Sequence, residues 1–415
     1  MDQDKKNILC VNGGSSSIKF SVFGVDGEDL RVGLKGKIDR IGLEGAALTF
    51  KDGSDGKEGR VNLERSGMKE AANFLMEWLG ERVGASGFSG IGHRVVHGGR
   101  RRQPVLIDDQ LLMELEAIGG YDPDHLPGEI GLIRLIRERD ARLRQVACFD
   151  TAFHATLPRV ARLMPLPRRY EEAGLLRYGF HGLSYAYLAE ELIRVAGPEV
   201  AAGRVIMAHL GGGASLAAVK GGISMDTTMG FTPAGGIMMG MRTGDLDPGV
   251  IWWILQQEGL SAAQLSDLVN HQSGLLGVSG ISSDMRDLLA RESGDVAAAE
   301  AVEMFCYQVR KAIGAFAAVL GGVDALVFSG GIGERSAVIR SRVCTGMEYL
   351  GIQLDQGANE RNGLLISGAE GLGDGQVDGP GSGRVGGWVR VYAIPTDEEK
   401  MIARYTKTVL YDSDY

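Results

Sequence analysis

The chain is short of cysteine and has no long apolar run. Its four cysteines, Cys10, Cys148, Cys306 and Cys344, lie far apart among 415 residues and include no Cys-x-x-Cys pair. This spacing excludes a disulfide scaffold and predicts reduced thiols in a core. No stretch approaches the roughly 18 apolar residues of a membrane helix, and the polar residues 1–7 are unlike a targeting signal. We therefore expect a soluble cytoplasmic protein that makes no contact with a membrane.

An excess of basic charge is also missing. The net charge is −9, whereas a protein whose main partner is nucleic acid needs a basic face for the phosphates. The chain has no His-Glu-x-x-His motif and no clustered Cys/His spacing, so we expect no zinc site. It also lacks the Gly-x-x-x-x-Gly-Lys-Ser/Thr spacing of a P-loop, so a nucleotide would have to be held by other turns.

Glycine, in contrast, is abundant. The chain contains 63 glycines, about twice the usual share of roughly 7%. They stand in short clusters along the chain, which indicates tight turns and not one disordered tract. Apolar residues make up 44% and charged residues 23%. This is a normal globular balance, and the length predicts two or three domains.

Three glycine clusters follow β-type runs. Residues 7–11 lead into a Gly/Ser turn and then into the alternating run 18–23, which predicts a β-hairpin. The same order recurs at 205–219, and a third strand at 325–328 runs into a glycine turn at 329–334. Glycine lets backbone N–H groups approach phosphate oxygens, and polar side chains add donors. At the first turn the candidates are Asn12, Ser15, Ser17 and Lys19. The recurrence suggests two related lobes, although chance recurrence, or an ordinary exposed hairpin at the first turn, would give the same pattern.

The rest of the chain mixes strands with helices. Helical spacing of apolar residues is clear over 68–79, 109–118, 129–137, 185–195, 297–320 and 398–408. Strands alternating with helices predict α/β lobes. We expect the glycine-rich stretch 367–387 to be a flexible surface loop without a function.

Two arginines lie among apolar residues and glycines, which is unusual for solvated charges. Arg94 stands before Gly98, and Arg242 before Gly244. A guanidinium group offers a rigid fork of donors that suits carboxylate or phosphate oxygens. The pair fits an acid substrate and a transferring phosphoryl group, but two structural salt bridges would give the same pattern.

Three further positions are candidates for chemistry. His181 lies between an aromatic residue and glycine, and could donate a hydrogen bond to a phosphoryl group. Asp150 ends an apolar run, and could orient an arginine or a metal-bound water. Thr396 is a candidate helix N-cap with Glu399 completing a capping box, which leaves Glu398 available to hold Mg²⁺ through water. Each of these residues also has an ordinary interpretation as a core or capping residue.

Eight segments, in order, resemble the acetate kinase family over almost the whole chain. They are 12–19, 92–99, 148–158, 177–184, 209–215, 226–248, 328–336 and 395–404. The runs Phe-Asp-Thr-Ala-Phe-His at 149–154 and Asp-Thr-Thr-Met-Gly-Phe-Thr-Pro at 226–233 are specific to the family's pattern.

The resemblance implies an α/β, two-lobed fold shared with sugar kinases, Hsp70 and actin, with duplicated lobes and ATP in a cleft. The expected lobes are 1–150 plus 398–415, and the nucleotide-binding lobe 151–397. The implied reaction is reversible, direct in-line transfer of a phosphoryl group between ATP and acetate, which gives ADP and acetyl phosphate. It implies Mg²⁺, with Mn²⁺ as a substitute, and a homodimer.

The resemblance also implies roles for single residues. The catalytic residues are Arg94, Asp150, His181 and Arg242, and the metal residues are Asn12 and Glu398. The substrate-binding residues are Arg94, Val96, Phe180, Pro233 and His125. The nucleotide-binding residues are Ser15, Ser17, Lys19, His209, Leu210, Gly211, Gly212, Gly213, Asp284, Met285, Arg286, Gly331, Ile332, Gly333 and Glu334.

Two positions depart from the family. Asp124 stands where an apolar residue helps to wall the pocket for the methyl group, so either it turns away towards a neighbour such as an arginine or the acceptor differs from acetate. Acetate is the expected acceptor, and propionate the next. Gly212 replaces a frequent asparagine and removes one side-chain amide, so we expect ATP binding to survive; a change of donor to pyrophosphate is the weaker alternative.

Two other functions stay open at this point. One is a butyrate or sugar kinase of the same superfamily, although a sugar kinase needs a carboxylate base for a hydroxyl group and paired arginines suit an acid. The other is a nucleotide-binding regulator without chemistry. Retention of both arginines, Asp150, His181 and Glu398 argues against a regulator, because binding alone would not require them.

Overall fold

A computed structural model describes residues 6–14, 16–27, 29–53, 55–64, 67–83, 87–368 and 388–412. The chain forms two compact units. Unit 1 is Met1–Ala155 with Asp397–Tyr415, and unit 2 is Thr156–Thr396. Ser15 and residues 369–387 of the predicted glycine-rich loop lie outside the described residues.

Unit 1 is built on an eight-stranded sheet. Its strands are β1 (Lys6–Gly13), β2 (Ile18–Asp26), β3 (Asp29–Asp39), β4 (Ala47–Asp52), β5 (Glu58–Asn62), β6 (Gly90–Val95), β7 (Val105–Leu106) and β8 (Gln145–Phe149). Its helices are α1 (Met68–Val83), α2 (Asp109–Ala117), α3 (Leu126–Arg139) and the last helix of the chain, α16 (Glu398–Tyr411), with 3-10 turns at Gly119–Tyr121 and Ala152–Thr156. The strand order is β5-β4-β3-β2-β1-β6-β8-β7.

Helices cover both faces of this sheet. Leu9 and Val11 of β1 share a buried cluster with Leu75 of α1 and Leu132 of α3. Helix α16 packs against β1 and β6, and a side chain at Gly92 of β6 would overlap it. Because side chains alternate across a strand, one face of β1 packs into this cluster and the other face packs against α16. The start of α16 is thereby held beside the central strands.

Unit 2 is built on a five-stranded sheet. Its strands are β9 (Arg204–Leu210), β10 (Ala214–Lys220), β11 (Ile223–Thr227), β12 (Ala325–Ser329) and β13 (Arg390–Ala393). Its helices are α4 (Arg159–Arg162), α5 (Arg168–Glu172), α6 (Gly182–Ala196), α7 (Pro198–Ala201), α8 (Pro248–Glu258), α9 (Ala262–His271), α10 (Gly274–Ser279), α11 (Met285–Arg291), α12 (Val296–Leu320), α13 (Gly330–Arg335), α14 (Ala337–Cys344) and α15 (Gln356–Glu360), with a 3-10 turn at Glu348–Leu350. The strand order is β11-β10-β9-β12-β13.

The two sheets repeat one pattern. In unit 1 the antiparallel strands β3, β2 and β1 are followed by β6 and β8, which run parallel to β1. In unit 2 the antiparallel strands β11, β10 and β9 are followed by β12 and β13, which run parallel to β9. The fold prediction is confirmed in this respect, since the two glycine turns at 12–17 and 211–213 join equivalent strands.

The helices and strands predicted from periodicity are confirmed, mostly with longer bounds. The prediction for the third glycine cluster is wrong, because β12 runs directly into helix α13 without a turn. Gly330 makes this possible: its φ is +74°, and a Cβ there would lie 2.6 Å from the carbonyl oxygen of Leu210. Only glycine tolerates both conditions. The four cysteines are buried and free. Among the described helices, none combines the length and apolar character needed to cross a membrane.

Candidate active site

The predicted first phosphate turn closes the hairpin of β1 and β2. Asn12 and Lys19 are directly opposite each other in the register of the two strands, so their side chains lie on the same face. The Gly14 amide donates a hydrogen bond to the Ser17 carbonyl oxygen at 2.7 Å. Lys19 is exposed, and Asn12 and Ser17 are half-buried. The turn therefore offers amide, hydroxyl and ammonium groups at one end of the sheet.

Acidic residues open helix α16. Asp397 is the N-cap, and its carboxylate accepts a hydrogen bond from the Lys400 amide at 2.9 Å. The prediction that Thr396 caps this helix, with Glu399 completing a capping box, is wrong. The Thr396 amide donates instead to Glu334 at 3.0 Å. The aspartate that follows Thr396 is at least as good an N-cap, and its oxygen reaches the third amide of the helix.

Glu398 and Glu399 occupy the first turn of α16, where the helix dipole favours carboxylates. Burial raises the pKa of Glu399, Glu398 adds to the increase, and Lys19 opposes it. Glu398 in turn helps to raise the pKa of Arg94. The start of α16 is thus electrostatically coupled both to the first turn and to Arg94.

Arg94, on β6, is held by two buried carboxyl groups. Its Nε and Nη2 atoms donate to one oxygen of Asp150 at 2.9 and 2.6 Å, and its Nη1 donates to Glu129 at 3.3 Å. The second Glu129 oxygen accepts from the Val96 amide at 2.8 Å. The Asp150 and Glu129 side chains are 1% and 2% exposed, and that of Arg94 is 17% exposed. All three guanidinium nitrogens therefore have a carboxyl oxygen nearby, with little water to screen them.

The pKa values of Arg94 and Glu129 are both shifted from their usual ranges. Burial alone would lower the pKa of Arg94, but Asp150, Glu129 and Glu398 raise it overall. Burial raises the pKa of Glu129 to about 7, because Arg94 and the Val96 amide only partly replace its lost hydration. Glu129 is consequently the member of the group that can exchange a proton near neutral pH.

His125 precedes helix α3 and is tied to a buried aspartate. One Asp122 oxygen accepts from the His125 amide at 3.2 Å and lies 2.9 Å from its Nδ1. The Asp122 side chain is 4% exposed, and that of His125 is 27% exposed. Asp124, which departs from the family pattern, is exposed, so its carboxylate keeps its hydration and carries no burial cost.

Unit 1 also contains buried histidines, among them His93 and His97. His93 Nε2 lies 2.7 Å from the Gln145 side-chain oxygen, and His97 Nδ1 accepts from the Gly99 amide at 3.0 Å. Burial lowers the pKa of each to about 4. Both rings are therefore uncharged at neutral pH, and neither supplies positive charge to a substrate.

The predicted second phosphate turn joins β9 to β10. The Gly211 amide donates to the Gly213 carbonyl oxygen at 3.0 Å. A Cβ at Gly213 would lie 3.4 Å from His181 Nε2 and 3.8 Å from Arg242 Nη1, whereas a Cβ at Gly212 would meet no described atom within 4 Å. Two predicted catalytic residues, His181 and Arg242, thus approach the same glycine, which has no side chain to keep them away.

A chain of hydroxyl groups fixes His181. Its Nδ1 lies 2.9 Å from Ser215 Oγ, which lies 2.6 Å from the Tyr185 hydroxyl oxygen. Both partners are fully buried, and burial raises the pKa of Tyr185, so its phenol stays protonated. Nδ1 is held by Ser215, and Nε2 is the ring nitrogen that lies nearest to Gly213. His181 has a φ of +59° as the N-cap of α6, a conformation that few non-glycine residues adopt and that clusters at functional sites.

Arg242 and His209 complete this group. Arg242 is half-buried, and its Nη1 donates to the Pro233 carbonyl oxygen at 3.3 Å. The ring of His209, on β9, has its centroid 4.3 Å from that of His181. A cation, two imidazoles and a glycine turn are therefore gathered at the end of one hairpin.

One predicted adenosine segment lies beside this turn. A Cβ at Gly211 would be 3.9 Å from the Gly331 amide nitrogen. Glu334 accepts from the Gly330 amide at 3.1 Å as well as from Thr396. Ile332 is half-buried and Gly333 is buried. The carboxylate of Glu334 thus braces the strand-to-helix junction.

The other predicted adenosine segment begins at α11. Gly240 packs against the carbonyl oxygens of Gly212 and Ser283, each 3.2 Å from where its Cβ would be, which brings the segment to the second turn. Asp284 caps α11 and pairs with Arg286 at 2.5 Å. The hydrogen bonds from Arg286 lower the pKa of Asp284 to about 2. The side chains of Leu210 and Met285 are buried, which leaves their backbones for contact with a ligand.

The predicted acceptor-pocket residues are divided between the units. Val96 is in unit 1 and is 1% exposed, and Phe180 in unit 2 is also 1% exposed. Pro233 in unit 2 is half-buried. That these three residues form one pocket stays a prediction.

The sequence analysis missed three buried polar residues of these groups, Asp122, Glu129 and Tyr185, and included Ser215 only as the end of the segment 209–215. Glu129 had a detectable signal, because it falls on the apolar face of α3 with Leu126, Ile130 and Ile133. A carboxyl group at such a position needs a partner. Nothing in the sequence indicated the contact between Ser215 and Tyr185, since that contact depends on the packing of α6 near β10.

The candidate metal residues are few. Among the described residues, no group of three or more His, Cys, Asp or Glu side chains is placed to hold a metal ion. Asn12 near the end of β1 and Glu398 at the start of α16 offer amide and carboxylate oxygens. Mg²⁺ prefers such oxygens, keeps several waters and often uses only one or two protein ligands besides substrate phosphates. The residues present fit such an ion.

Comparisons with known proteins agree with this geometry. The model of the Acetokinase family matches residues 7–404. The chain belongs to the acetokinase family. It is 43% identical over 401 residues to the acetate kinase of Rhodopseudomonas palustris strain TIE-1, covering 96% of this chain and 97% of that protein. It is also 40% identical over 403 residues to a propionate kinase of Citrobacter rodentium, covering 96% and 95% of the two chains.

Solved structures of the acetokinase family have the same fold. Porphyromonas gingivalis acetate kinase is 35% identical, with a TM-score of 0.85 over 98% of this chain and 100% of that one. A propionate kinase from Francisella tularensis is 32% identical, with a TM-score of 0.87 over 96% and 98%. The predicted mixed α/β fold is therefore confirmed, and the chain is a phosphotransferase of this family.

Proposed function

We propose that this chain is an acetate kinase that transfers a phosphoryl group reversibly and directly between ATP and acetate, giving ADP and acetyl phosphate. The observation that carries the proposal is the approach of Arg242 and His181 to the Gly213 turn in a chain of the acetokinase family. A guanidinium group and an imidazole N–H at a glycine turn can bind a phosphoryl group and stabilise the charge that develops during transfer. Residues 1–150 plus 398–415 and residues 151–397 act as its two lobes, in the cytoplasm.

Unit 1 supplies the acceptor site in this proposal. Arg94 binds the acetate carboxylate, and Asp150 fixes the guanidinium plane through two hydrogen bonds. Val96, with Phe180 and Pro233, surrounds the methyl group, and His125 contacts the carboxylate. Because acetate is itself the nucleophile, no general base is needed, and Arg94 acts by holding the attacking oxygen in line.

Unit 2 supplies the groups that act on the phosphoryl group. His181 donates from Nε2 while Ser215 holds Nδ1, so the ring keeps one orientation during the reaction. Arg242, whose Nη1 donates to the Pro233 carbonyl oxygen at 3.3 Å, binds the phosphoryl oxygens. Direct transfer needs this positioning and charge neutralisation more than covalent chemistry.

The nucleotide is held by backbone-rich segments. Amides of the turn at Gly211, Gly212 and Gly213, with His209 and Leu210, contact the phosphates, and Ser15, Ser17 and Lys19 contribute from the first turn. Adenosine lies against the segments Asp284, Met285, Arg286 and Gly331, Ile332, Gly333, Glu334. The room at Gly212 keeps the backbone amides accessible even without the asparagine side chain found in relatives.

Asn12 and Glu398 hold Mg²⁺ in this proposal, directly or through water. The ion, when bound, neutralises phosphate charge. Mn²⁺ accepts the same oxygen ligands and substitutes for it. Lys19, opposite Asn12 in the hairpin, keeps further positive charge on the same face.

Trapping of acyl phosphate by hydroxylamine tests the reaction. We expect acetyl hydroxamate to form with ATP, acetate and Mg²⁺, and kcat/KM to be highest for acetate, lower for propionate and lowest for butyrate. A preference for butyrate above about tenfold would overturn the acceptor assignment, since one methylene in an apolar pocket is worth roughly tenfold or more. Absence of hydroxamate with all three acids would favour a nucleotide-binding regulator.

Propionate is the second candidate acceptor. The Citrobacter rodentium and Francisella tularensis relatives are named propionate kinases. Because Asp124 is exposed, the wall for the methyl group lacks one apolar residue of the family pattern, which leaves room for a longer acid. A kcat/KM for propionate above that for acetate would move the assignment to this acid.

We propose further that the working form is a homodimer in which α8 of one copy meets a second copy. None of the residues of α8, all of which the structure describes, is buried. Trp252 and Trp253 are 63% and 60% exposed, an unusual state for two large apolar side chains. Sedimentation should give a dimer for the native chain and a monomer for Trp252→Glu/Trp253→Glu. A native monomer would refute the dimer.

A further inference from the structure

Glu129 is a buried carboxyl group beside Arg94, where a site that binds an anion would not be expected to have one. Arg94, the proposed acceptor ligand, already has carboxyl oxygens at all three nitrogens: two contacts to Asp150, at 2.9 and 2.6 Å, and one to Glu129, at 3.3 Å. An incoming carboxylate must therefore share the guanidinium with a residue of the chain. The contact to Glu129 is the longest of the three, so Nη1 is the position most easily given to a substrate.

Binding of acetate to Arg94 is costly when both Asp150 and Glu129 are ionised. One arginine and two carboxylates have a net charge of about −1, which would repel acetate in a site with little water. With a proton on Glu129 the group is neutral, and the Arg94 Nη1 is released from a charged partner. Glu129 can carry this proton without leaving its place, because its other oxygen is held by the Val96 amide at 2.8 Å.

We propose that Glu129 is a positioning residue that sets the charge of the acceptor site: acetate binds when Glu129 is protonated, and the ionised form of Glu129 competes with acetate for Arg94. The inference rests on the proposed acetate kinase activity. It makes the acceptor affinity, and not the ATP affinity, dependent on pH.

The surroundings of Glu129 support this assignment. Burial, partly opposed by Arg94 and the Val96 amide, raises its pKa to about 7. Asp150 and His125 are the other charged neighbours that act on it, Asp150 by favouring the proton and His125 by opposing it. Asp122 holds His125, and Glu398 acts on Arg94. The proton on Glu129 is thus available within the pH range in which the enzyme would be assayed.

The pH dependence of KM for acetate tests the proposal. For the native chain we expect this KM to rise above pH 7 by up to about tenfold per pH unit, as expected when binding needs one proton. Acetate itself stays ionised over this range. The KM for ATP, measured in the same assays, should not follow the same curve.

Glu129→Gln removes the charge and keeps the shape of the side chain. We expect its KM for acetate to be nearly constant with pH and, above about pH 8, about tenfold below that of the native chain. Glu116→Gln is the matched control, because Glu116 is also paired with an arginine, Arg134, but is exposed on α2; it should keep the native curve. A Glu129→Gln variant that keeps the native slope, with KM altered at every pH, would show that Glu129 is only a structural brace.

Calorimetry of the native chain gives a second test that needs no variant. Titration of acetate in buffers of different ionisation heat should show uptake of about one proton per acetate near pH 8. A native chain that forms acetyl hydroxamate but takes up no proton would overturn the role of Glu129 alone. A native chain that binds acetate with proton uptake but forms no hydroxamate would instead overturn the proposed activity.

Discussion

The two arginines of the candidate active site, Arg94 and Arg242, are held by different kinds of groups. Arg94 in unit 1 is surrounded by carboxyl groups, with Asp150 and Glu129 both nearly inaccessible to solvent. Arg242 in unit 2 is half-buried and donates to a backbone carbonyl oxygen. An arginine between buried carboxylates is held rigidly and is needed for folding, because its loss leaves charges without compensation. An arginine on a carbonyl oxygen is freer to follow a ligand.

The same contrast extends to the histidines. In unit 1, His125 is held by the carboxylate of Asp122, whereas in unit 2, His181 is held by the neutral hydroxyl groups of Ser215 and Tyr185. The described partners of His125 and His181 therefore differ in charge. In the proposed reaction this difference would suit the first unit to an anion of fixed shape and the second to a phosphoryl group whose charge shifts during transfer.

The largest expected effect comes from removing each arginine. Arg94→Ala and Arg242→Ala should each lower kcat/KM for acetate by about a thousandfold or more, because each removes a charge-stabilising donor. Only Arg94→Ala should also destabilise the fold, by about 3–5 kcal/mol, since it removes the positive charge shared by two buried carboxyl groups. Hydroxamate assays and thermal unfolding measure the two effects.

Equal loss of stability in both variants would show that the two arginines contribute equally to the fold. Full acyl phosphate synthesis in either variant would refute the proposed chemistry. Arg134→Ala, which removes an exposed arginine paired with Glu116, is the control and should change neither quantity appreciably, as surface pairs are worth about 1 kcal/mol or less.

The next effect is a loss of stability in acid that comes from a buried histidine of unit 1. His97 has a pKa lowered by burial from 6.5 to about 4, so the unfolded chain binds its proton first. As the pH falls from 6.5 to 4, this histidine should remove roughly 3 kcal/mol of unfolding free energy. Glu129, with a raised pKa, acts in the opposite direction, since its contribution is lost as the pH rises towards 7.

His97→Gln isolates the histidine contribution, and the exposed His271 of unit 2 gives the matched control. The midpoint of thermal unfolding should fall less between pH 6.5 and 4.5 in His97→Gln than in the native chain, and His271→Gln should behave like the native chain. An identical decline in all three proteins would show that the buried ring does not contribute to acid sensitivity.

A smaller effect is expected from the hydroxyl chain of unit 2. Ser215→Ala leaves His181 Nδ1 without its 2.9 Å partner, which should lower kcat about tenfold to a hundredfold through loss of ring orientation. Tyr185→Phe removes the next hydroxyl and should cost less. If Ser215→Ala changes KM for ATP but not kcat, Ser215 serves nucleotide binding and the orientation argument fails.

The smallest effect distinguishes two neighbouring glycines. Gly213→Ala puts a methyl group 3.4 Å from His181 Nε2, whereas Gly212→Ala meets no described atom within 4 Å. We expect about a tenfold loss of kcat for Gly213→Ala, or roughly 1.4 kcal/mol in activation free energy. Gly212→Ala should lie within about twofold of the native chain. Equal kcat values would mean that His181 does not act at Gly213.

Much of the fold could be predicted from the sequence because its signals are local. The hairpin of β1 and β2 and the long helix α12 follow from alternation, glycine turns and helical spacing, all readable within a few turns of chain. The predicted N-cap of α16 was wrong by one residue. Thr396 and Asp397 are both good cap residues, and only tertiary contacts decide between them. The prediction of a turn at Gly330 was wrong because the backbone conformation there depends on a close approach to the carbonyl oxygen of Leu210, which is on another strand.

The candidate site was predictable only in part. Charged and glycine-flanked residues such as Arg94 and Arg242 stand out in a sequence, and the resemblance to a family supplied their roles. Glu129 could have been recognised as a carboxyl group on an apolar helix face, but its partner Arg94 could not, because a buried contact is defined by what meets in space. Arrangements between distant segments therefore remained beyond sequence reasoning.

The return of the chain to unit 1 in helix α16 has a consequence for synthesis. Glu398 and its N-cap Asp397 leave the ribosome after all of unit 2. The strands of unit 1 are made first, but α16 can cover its face of their sheet only after unit 2 has been synthesised. A nascent chain halted before α16 would hold a finished second unit and an unfinished first one.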